Sequence, residues 1–338
     1  MSTDSEAVPR DDSAHETTSP PSGDEKQTSY VIGSQEWLDC MVDRSERGNA
    51  YAHFSLGQYY FEKKDYPNAL NYFNMADKKG NLQATYQLAV MHYDGLGVAE
   101  DQHKGMQYMK AVAQATKKEH YHLVPSAQFS IGQAYFQGFG INQSDEEAIQ
   151  WYILAANASN QQNVGCIKAQ NALGMLFSRK DSLNLQQAFH WHQKAAESGH
   201  LESMAALGQM MLSGHGCTTD KTTGIKWLKK SSIRGCMYAN GLLSCEYFNS
   251  KLYSRAVENA LKICDLDKEA AQTLQEQFIP HLVHRGIAIS CFVLARCLQL
   301  GQGIERSEEK AKMYFDKASL FDKEITSDLH TKMTHGVM

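Results

Sequence analysis

The histidine pairs are the first residues in this 338-residue chain whose spacing could do chemistry. His190 and His192 stand two apart, as do His120 and His122, and such pairs invite a metal ion. On a helix, residues two apart point about 200° away from each other, so His190 and His192 cannot share one. His120 and His122 fall in the stretch Gln114 to Pro125 between periodic segments and read as a surface loop. His281 and His284 could lie on one helix face, but no Glu or Cys accompanies them. The eight cysteines (Cys40, Cys166, Cys217, Cys236, Cys245, Cys264, Cys291 and Cys297) show no Cys-x-x-Cys spacing. They read as reduced thiols in a helical core. There is no Gly-x-Ser-x-Gly, no His-Glu-x-x-His and no kinase signature. The sequence therefore assigns no catalytic residue, no metal ligand and no cofactor site, and the expectation is a protein that is not an enzyme.

Glycine pairs are the other candidate. Gly95/Gly97, Gly138/Gly140, Gly214/Gly216 and Gly301/Gly303 are Gly-x-Gly motifs. A phosphate-binding loop would need a strand before the glycines and a Gly-Lys-Ser/Thr continuation. Here a helical pattern precedes each pair, and the motif recurs four times at the same register. The expectation is a helix terminator followed by a turn, using positive φ.

That register belongs to a repeat that positions everything else. An aliphatic anchor recurs seven times: Leu56, Leu88, Ile131, Leu173, Leu207, Leu243 and Leu294. Four residues before each stands a small residue: Ala52, Ala84, Ala127, Ala169, Ser203, Ala239 and Ser290. Directly after each comes another: Gly57, Ala89, Gly132, Gly174, Gly208, Ser244 and Ala295. The spacing i, i+4, i+5 puts the three on one helix face, where small side chains let a partner helix come close. A second helix follows in each unit, as in Ala188-Phe-His-Trp191. Two antiparallel helices per unit, stacked on their neighbours, predict an all-α, right-handed superhelical solenoid.

Composition agrees with a folded body and a polar start. Of 38 acids and 33 Lys and Arg, residues 1–28 hold seven and two, so 31 of each remain from Ser29 onward. A neutral body argues against nucleic acid as a partner, because phosphate binding needs a basic excess. Residues 1–28 are rich in Ser, Thr, Pro and acids and predict a disordered tail. No secretory signal is evident, and no uncharged run of 18 apolar residues suggests direct membrane insertion. The expected organisation is a tail (1–28), a leading helix (29–50) and a tetratricopeptide-type repeat (51–81). Longer repeats then fill 82–320, with insertions near 113–125, 158–166 and 265–284. A cap and tail close the chain at 321–338.

In tetratricopeptide-like stacks the first helix of each pair lines a concave groove. By that analogy, positions two before and two and five after the anchor face inward. For the first three units these include Phe54, Gln58, Phe61, Tyr86, Tyr93, Phe129, Gln133 and Phe136. They predict a groove for an extended peptide, with glutamines bonding its backbone and rings taking its side chains. Units four and five give Asn171, Met175 and Ser178, then Ala205, Gln209 and Leu212. Units six and seven give Gly241, Cys245 and Phe248, then Phe292, Arg296 and Gln299. Arg296 is the one charge among these, which disfavours a clamp for an acidic ligand.

The spacing Leu56-Gly57…Tyr60…Tyr66…Ala69…Phe73…Ala76 resembles a tetratricopeptide repeat. Ala84 to Val98, Ala127 to Ile141 and Ala188 to Ala196 resemble the longer Sel-like repeat. With the runs Gln83 to Gly97, Gly199 to Ser203 and Ala295 to Ile304, the arrangement resembles the megalin-binding protein family. That resemblance implies a cytoplasmic, non-enzymatic adaptor whose partner is the cytoplasmic tail of megalin, low-density lipoprotein receptor-related protein 2. A scaffold subunit of a larger complex, of ubiquitin-ligase or chaperone type, is the alternative. The chain departs from the pattern at Arg179-Lys180 and after Ala239, where Gly-x-Gly is missing.

Overall fold

The computed structural model describes residues 31–115, 122–158, 165–179, 183–266 and 280–334. The acidic tail, His120, Lys180 and most of the 265–284 insertion lie outside them. The described residues form sixteen helices and no strand, so the fold is all-α. They divide into two compact units, Met1–Cys166 and Ile167–Met338.

Unit 1 begins with α1 (Gln35–Glu46) and stacks three pairs: α2 (Ala50–Glu62) with α3 (Tyr66–Asp77), α4 (Leu82–Asp94) with α5 (Gln102–Ala113), and α6 (Leu123–Gln137) with α7 (Asp145–Asn157). Unit 2 stacks four: α8 (Ile167–Ser178) with α9 (Leu185–Glu197), α10 (Leu201–Ser213) with α11 (Lys221–Ile233), α12 (Met237–Asn249) with α13 (Tyr253–Cys264), and α14 (Pro280–Leu300) with α15 (Glu308–Phe321). It closes with α16 (Lys323–Thr334). Side-chain caps set most helix starts: Asn49, Asp65, Asn81, Asp101, Ser144, Asn184, Asp220 and Ser307 each accept from a backbone N–H two or three residues inside the helix.

The repeat skeleton is the core. All seven anchors and all seven preceding small residues are at most 2% exposed. The small residue after the anchor faces the second helix of its own pair, four residues after that helix's own small knob. A Cβ added to Gly132 would lie 2.7 Å from Cδ1 of Tyr152, and one at Gly174 would lie 2.6 Å from the His192 ring. Gly57 meets Phe73 in the same way, and Gly208 meets Leu228. In the second pair the roles are exchanged: Ala89 stands on the first helix, and Gly105 on the second receives the ring of Tyr93.

The Gly-x-Gly turns have two parts with separate reasons. The first glycine caps the helix in the left-handed region, as at Gly95, Gly138 and Gly214. The second also has positive φ, but in addition it touches the preceding pair. Gly97 abuts the Tyr66 backbone, Gly140 that of Gln102, Gly216 that of Leu185 and Gly303 that of Tyr253. Those four are the first residues of α3, α5, α9 and α13. Each such turn therefore docks on the start of the previous pair's second helix, which a side chain would obstruct. In the first and sixth pairs, which lack the motif, Lys64 and Lys251 take the left-handed position instead.

One helix departs from expectation. α14 runs unbroken for 21 residues, and by length and apolar composition it could cross a membrane. Arg285 and Arg296 interrupt the run that a charge-free search looks for. In unit 2 it is the central core helix, with 72% of its apolar window buried.

Candidate protein-binding surface

The inward positions of unit 1 divide by depth. Phe54 does not reach the surface: it is 6% exposed, with its ring 5.9 Å from that of Phe73. This corrects its assignment to a groove: its ring turns under its own pair onto Phe73, whereas Tyr86 and Phe129, at the same position of the next two pairs, stay half-buried. The other seven residues, Gln58, Phe61, Tyr86, Tyr93, Phe129, Gln133 and Phe136, are all half-buried. Each ring that can be traced is held on one side by the core. Phe61 stands edge-on to Tyr66 at 5.5 Å and tilted to Phe73 at 6.4 Å. Phe129 is tilted over Tyr152 at 5.5 Å. Tyr93 lies against Gly105, and its buried hydroxyl has no hydrogen-bond partner. Burial pushes that phenol's pKa well above its usual range, so the group stays a neutral donor. Rings fixed on one side and open on the other lose little entropy when a ligand covers them. α2, α4 and α6 thus carry an aromatic, uncharged face.

In unit 2 the inward residue Asn171 belongs to a buried polar constellation that the sequence did not reveal. Ser203 is fully buried and its hydroxyl donates to Oδ1 of Asn171 at 2.8 Å. It lies 3.4 Å from Nδ1 of His192 and 3.1 Å from Nδ1 of His200. His200 Nδ1 accepts the Ser203 backbone N–H at 3.2 Å, capping α10, and stands 3.5 Å from Glu202. A serine beside two imidazoles resembles a hydrolytic pair. This one has no access to substrate and gives its proton to an amide oxygen, so it joins α8, α9 and α10 instead. Burial, then the neighbouring His200, lowers the His192 pKa from 6.5 to about 4, which keeps the ring neutral. His190 is exposed while His192 is buried, consistent with their opposite directions. Among the described residues, no group of three or more His, Cys, Asp or Glu could hold a metal ion. None of the eight cysteines is in a disulfide.

Stacked helix pairs with a recurrent anchor and a docking turn define a repeat solenoid, a class that presents an extended surface to other proteins. The chain belongs to the Sel1 repeat family. The repeat pattern matches residues 50–81, 82–115, 125–160, 167–200, 201–236 and 288–320, together more than half of the sequence. The first of these is the unit that reads as tetratricopeptide-type from its spacing. Protein sel-1 homolog 2 of Rattus norvegicus is 35% identical over 100 residues, 28% of this chain and 14% of that protein. Chitin synthase regulatory factor 3 of Schizosaccharomyces pombe is 23% identical over 192 residues, 54% of this chain and 20% of that protein. The chain thus matches a fifth or less of either relative's length. Among solved structures, a protective antigen of uropathogenic Escherichia coli with an SLR fold is 22% identical. The match covers 90% of this chain and 68% of that one, at a TM-score of 0.55. A Sel1 repeat protein from Oxalobacter formigenes is 24% identical, covering 79% of this chain and 96% of that one, at 0.56. These two likenesses establish the fold. A Sel1-repeat solenoid is a protein-binding scaffold and is typically non-catalytic.

Proposed function

We propose that this protein is a cytoplasmic adaptor that binds the cytoplasmic tail of megalin on the aromatic face of α2, α4 and α6. The observation that carries the reading is the recurrence of half-buried rings at the inward positions: Phe61, Tyr93 and Phe136 five after their anchors and Phe129 two before its own, with Phe61, Tyr93 and Phe129 backed by the core. Gln58 and Gln133 sit on the same face and can bond an extended backbone. No Lys or Arg stands at these positions, so the ligand segment is apolar or neutral and not acidic. The identity of the partner comes from the resemblance to the megalin-binding protein family.

The test is fluorescence anisotropy of a labelled megalin-tail peptide with the full chain. Phe61→Ala combined with Phe136→Ala should weaken binding more than about a hundredfold, since buried aromatic anchors are each worth about 2 kcal/mol or more. Binding should change little between low and physiological salt. A folded double variant with the parent's affinity would remove the site from this face. If the tail binds only when a larger complex is reconstituted, the chain is a scaffold subunit instead.

A further inference from the structure

Unit 2 contains a cavity of about 380 Å³ on the side of α8, α10 and α12 that carries their inward positions. That volume is at the low end of ligand pockets, roughly 300–1,000 Å³, and has room for one large side chain with its backbone. Its apolar lining includes Met175, Ala206, Met210 and Leu282. Met210 is nearly buried, whereas Met175 is 42% exposed and stands at the rim. Methionine side chains adapt to the shape of an inserted aliphatic group.

Two polar groups in the lining are set against each other. The Tyr238 hydroxyl donates to Oε1 of Gln209 at 2.8 Å. That bond turns the carboxamide oxygen toward the phenol and leaves the two N–H donors for a ligand. The phenol has spent its proton on Gln209, so it offers lone pairs as an acceptor. A donor beside an acceptor matches one residue of an extended segment, whose own C=O and N–H point the same way: its C=O toward Gln209 and its N–H toward Tyr238. A free carboxylate would satisfy only the first, and a hydrocarbon neither.

We propose that unit 2 holds a second binding site, separate from the aromatic face, that takes an extended protein segment by one large aliphatic side chain. Gln209 and Tyr238 bond the backbone C=O and N–H of the inserted residue, and Met175 and Met210 close around its side chain.

The experiment uses the full chain labelled with ¹³C at methionine methyls, titrated with acetyl-Ala-Leu-Ala-amide and with acetyl-Ala-Ala-Ala-amide. The leucine peptide should shift the Met175 and Met210 methyl signals saturably, and the alanine peptide should not. Ala206→Trp, which fills the cavity, should abolish the shifts. Gln209→Leu lies on the surface and should weaken binding at least threefold with an unchanged melting temperature. Phe61→Ala with Phe136→Ala should leave this titration unaltered, so failure here and failure at the aromatic face are told apart. The proposal is overturned if neither methyl shifts saturably, if both peptides act alike, or if the folded Gln209→Leu protein binds as the parent does.

Discussion

Gly140→Ala and Gly138→Ala perturb one turn in two ways, and their difference measures the contact between successive repeats. Both glycines are left-handed, with φ of 67° and 76°. An alanine at either position carries the same conformational cost, about 1–2 kcal/mol. Both substitutions also restrict the unfolded chain alike, which offsets about 0.4–1 kcal/mol in each. What separates them is the neighbour. A Cβ at Gly138 meets the Gln143 Cβ at 3.4 Å, an ordinary van der Waals contact. A Cβ at Gly140 meets the carbonyl carbon and oxygen of Gln102 at 2.6 Å, and this is backbone at the start of α5. Overpacking against structure that cannot step aside costs about 1–3 kcal/mol more. Gly140→Ala should therefore destabilise by about 2–4 kcal/mol and Gly138→Ala by about 1. Urea denaturation followed by circular dichroism gives the two midpoints. Hydrogen exchange over residues 95–145 then shows whether the loss is local, since repeat arrays need not unfold in one step. Equal destabilisation of the two variants would show that the second glycine is there for its φ alone and would refute the docking role.

Two further expectations concern unit interiors. Gly132→Val should lower the melting temperature clearly, since its Cβ would press on Tyr152 at 2.7 Å. The clash costs about 1–3 kcal/mol, of which helix propensity returns less than about 1. Acid should weaken unit 2 through His192, whose folded pKa of about 4 lies below its ordinary 6.5. Above pH 6.5 both states are neutral and stability is whole; as pH falls toward 4 only the unfolded chain takes up the proton. The loss between pH 7 and pH 5 is on the order of 2 kcal/mol, and it should shrink in His192→Gln when urea midpoints are compared at the two values.

The repeat was legible because its signal is local. A small residue, an anchor and a second small residue within six positions report a helix face directly, and all seven anchors are buried accordingly. Relations between helices were less legible. Ser203, Asn171 and His192 come from three helices, and nothing in their individual spacings brings them together. The second glycine of each turn looked like a turn former, and its contact with the previous pair depends on stacking distance, which periodicity does not encode. Phe54 shares a helix face with Gln58 and Phe61, yet it turns under Phe73, because depth depends on the neighbouring helix as well as on angle. α14 was hidden by two arginines and by its start within the 265–284 insertion.

Hydrogen–deuterium exchange of the full chain with and without the megalin cytoplasmic-tail peptide tests the central claim most directly. Bound peptide should slow exchange in residues 54–61, 86–93 and 129–136 of α2, α4 and α6, the turns that carry the open rings. Saturating peptide that leaves these three segments unchanged, or that protects other helices instead, would contradict the assignment of protein binding to this face.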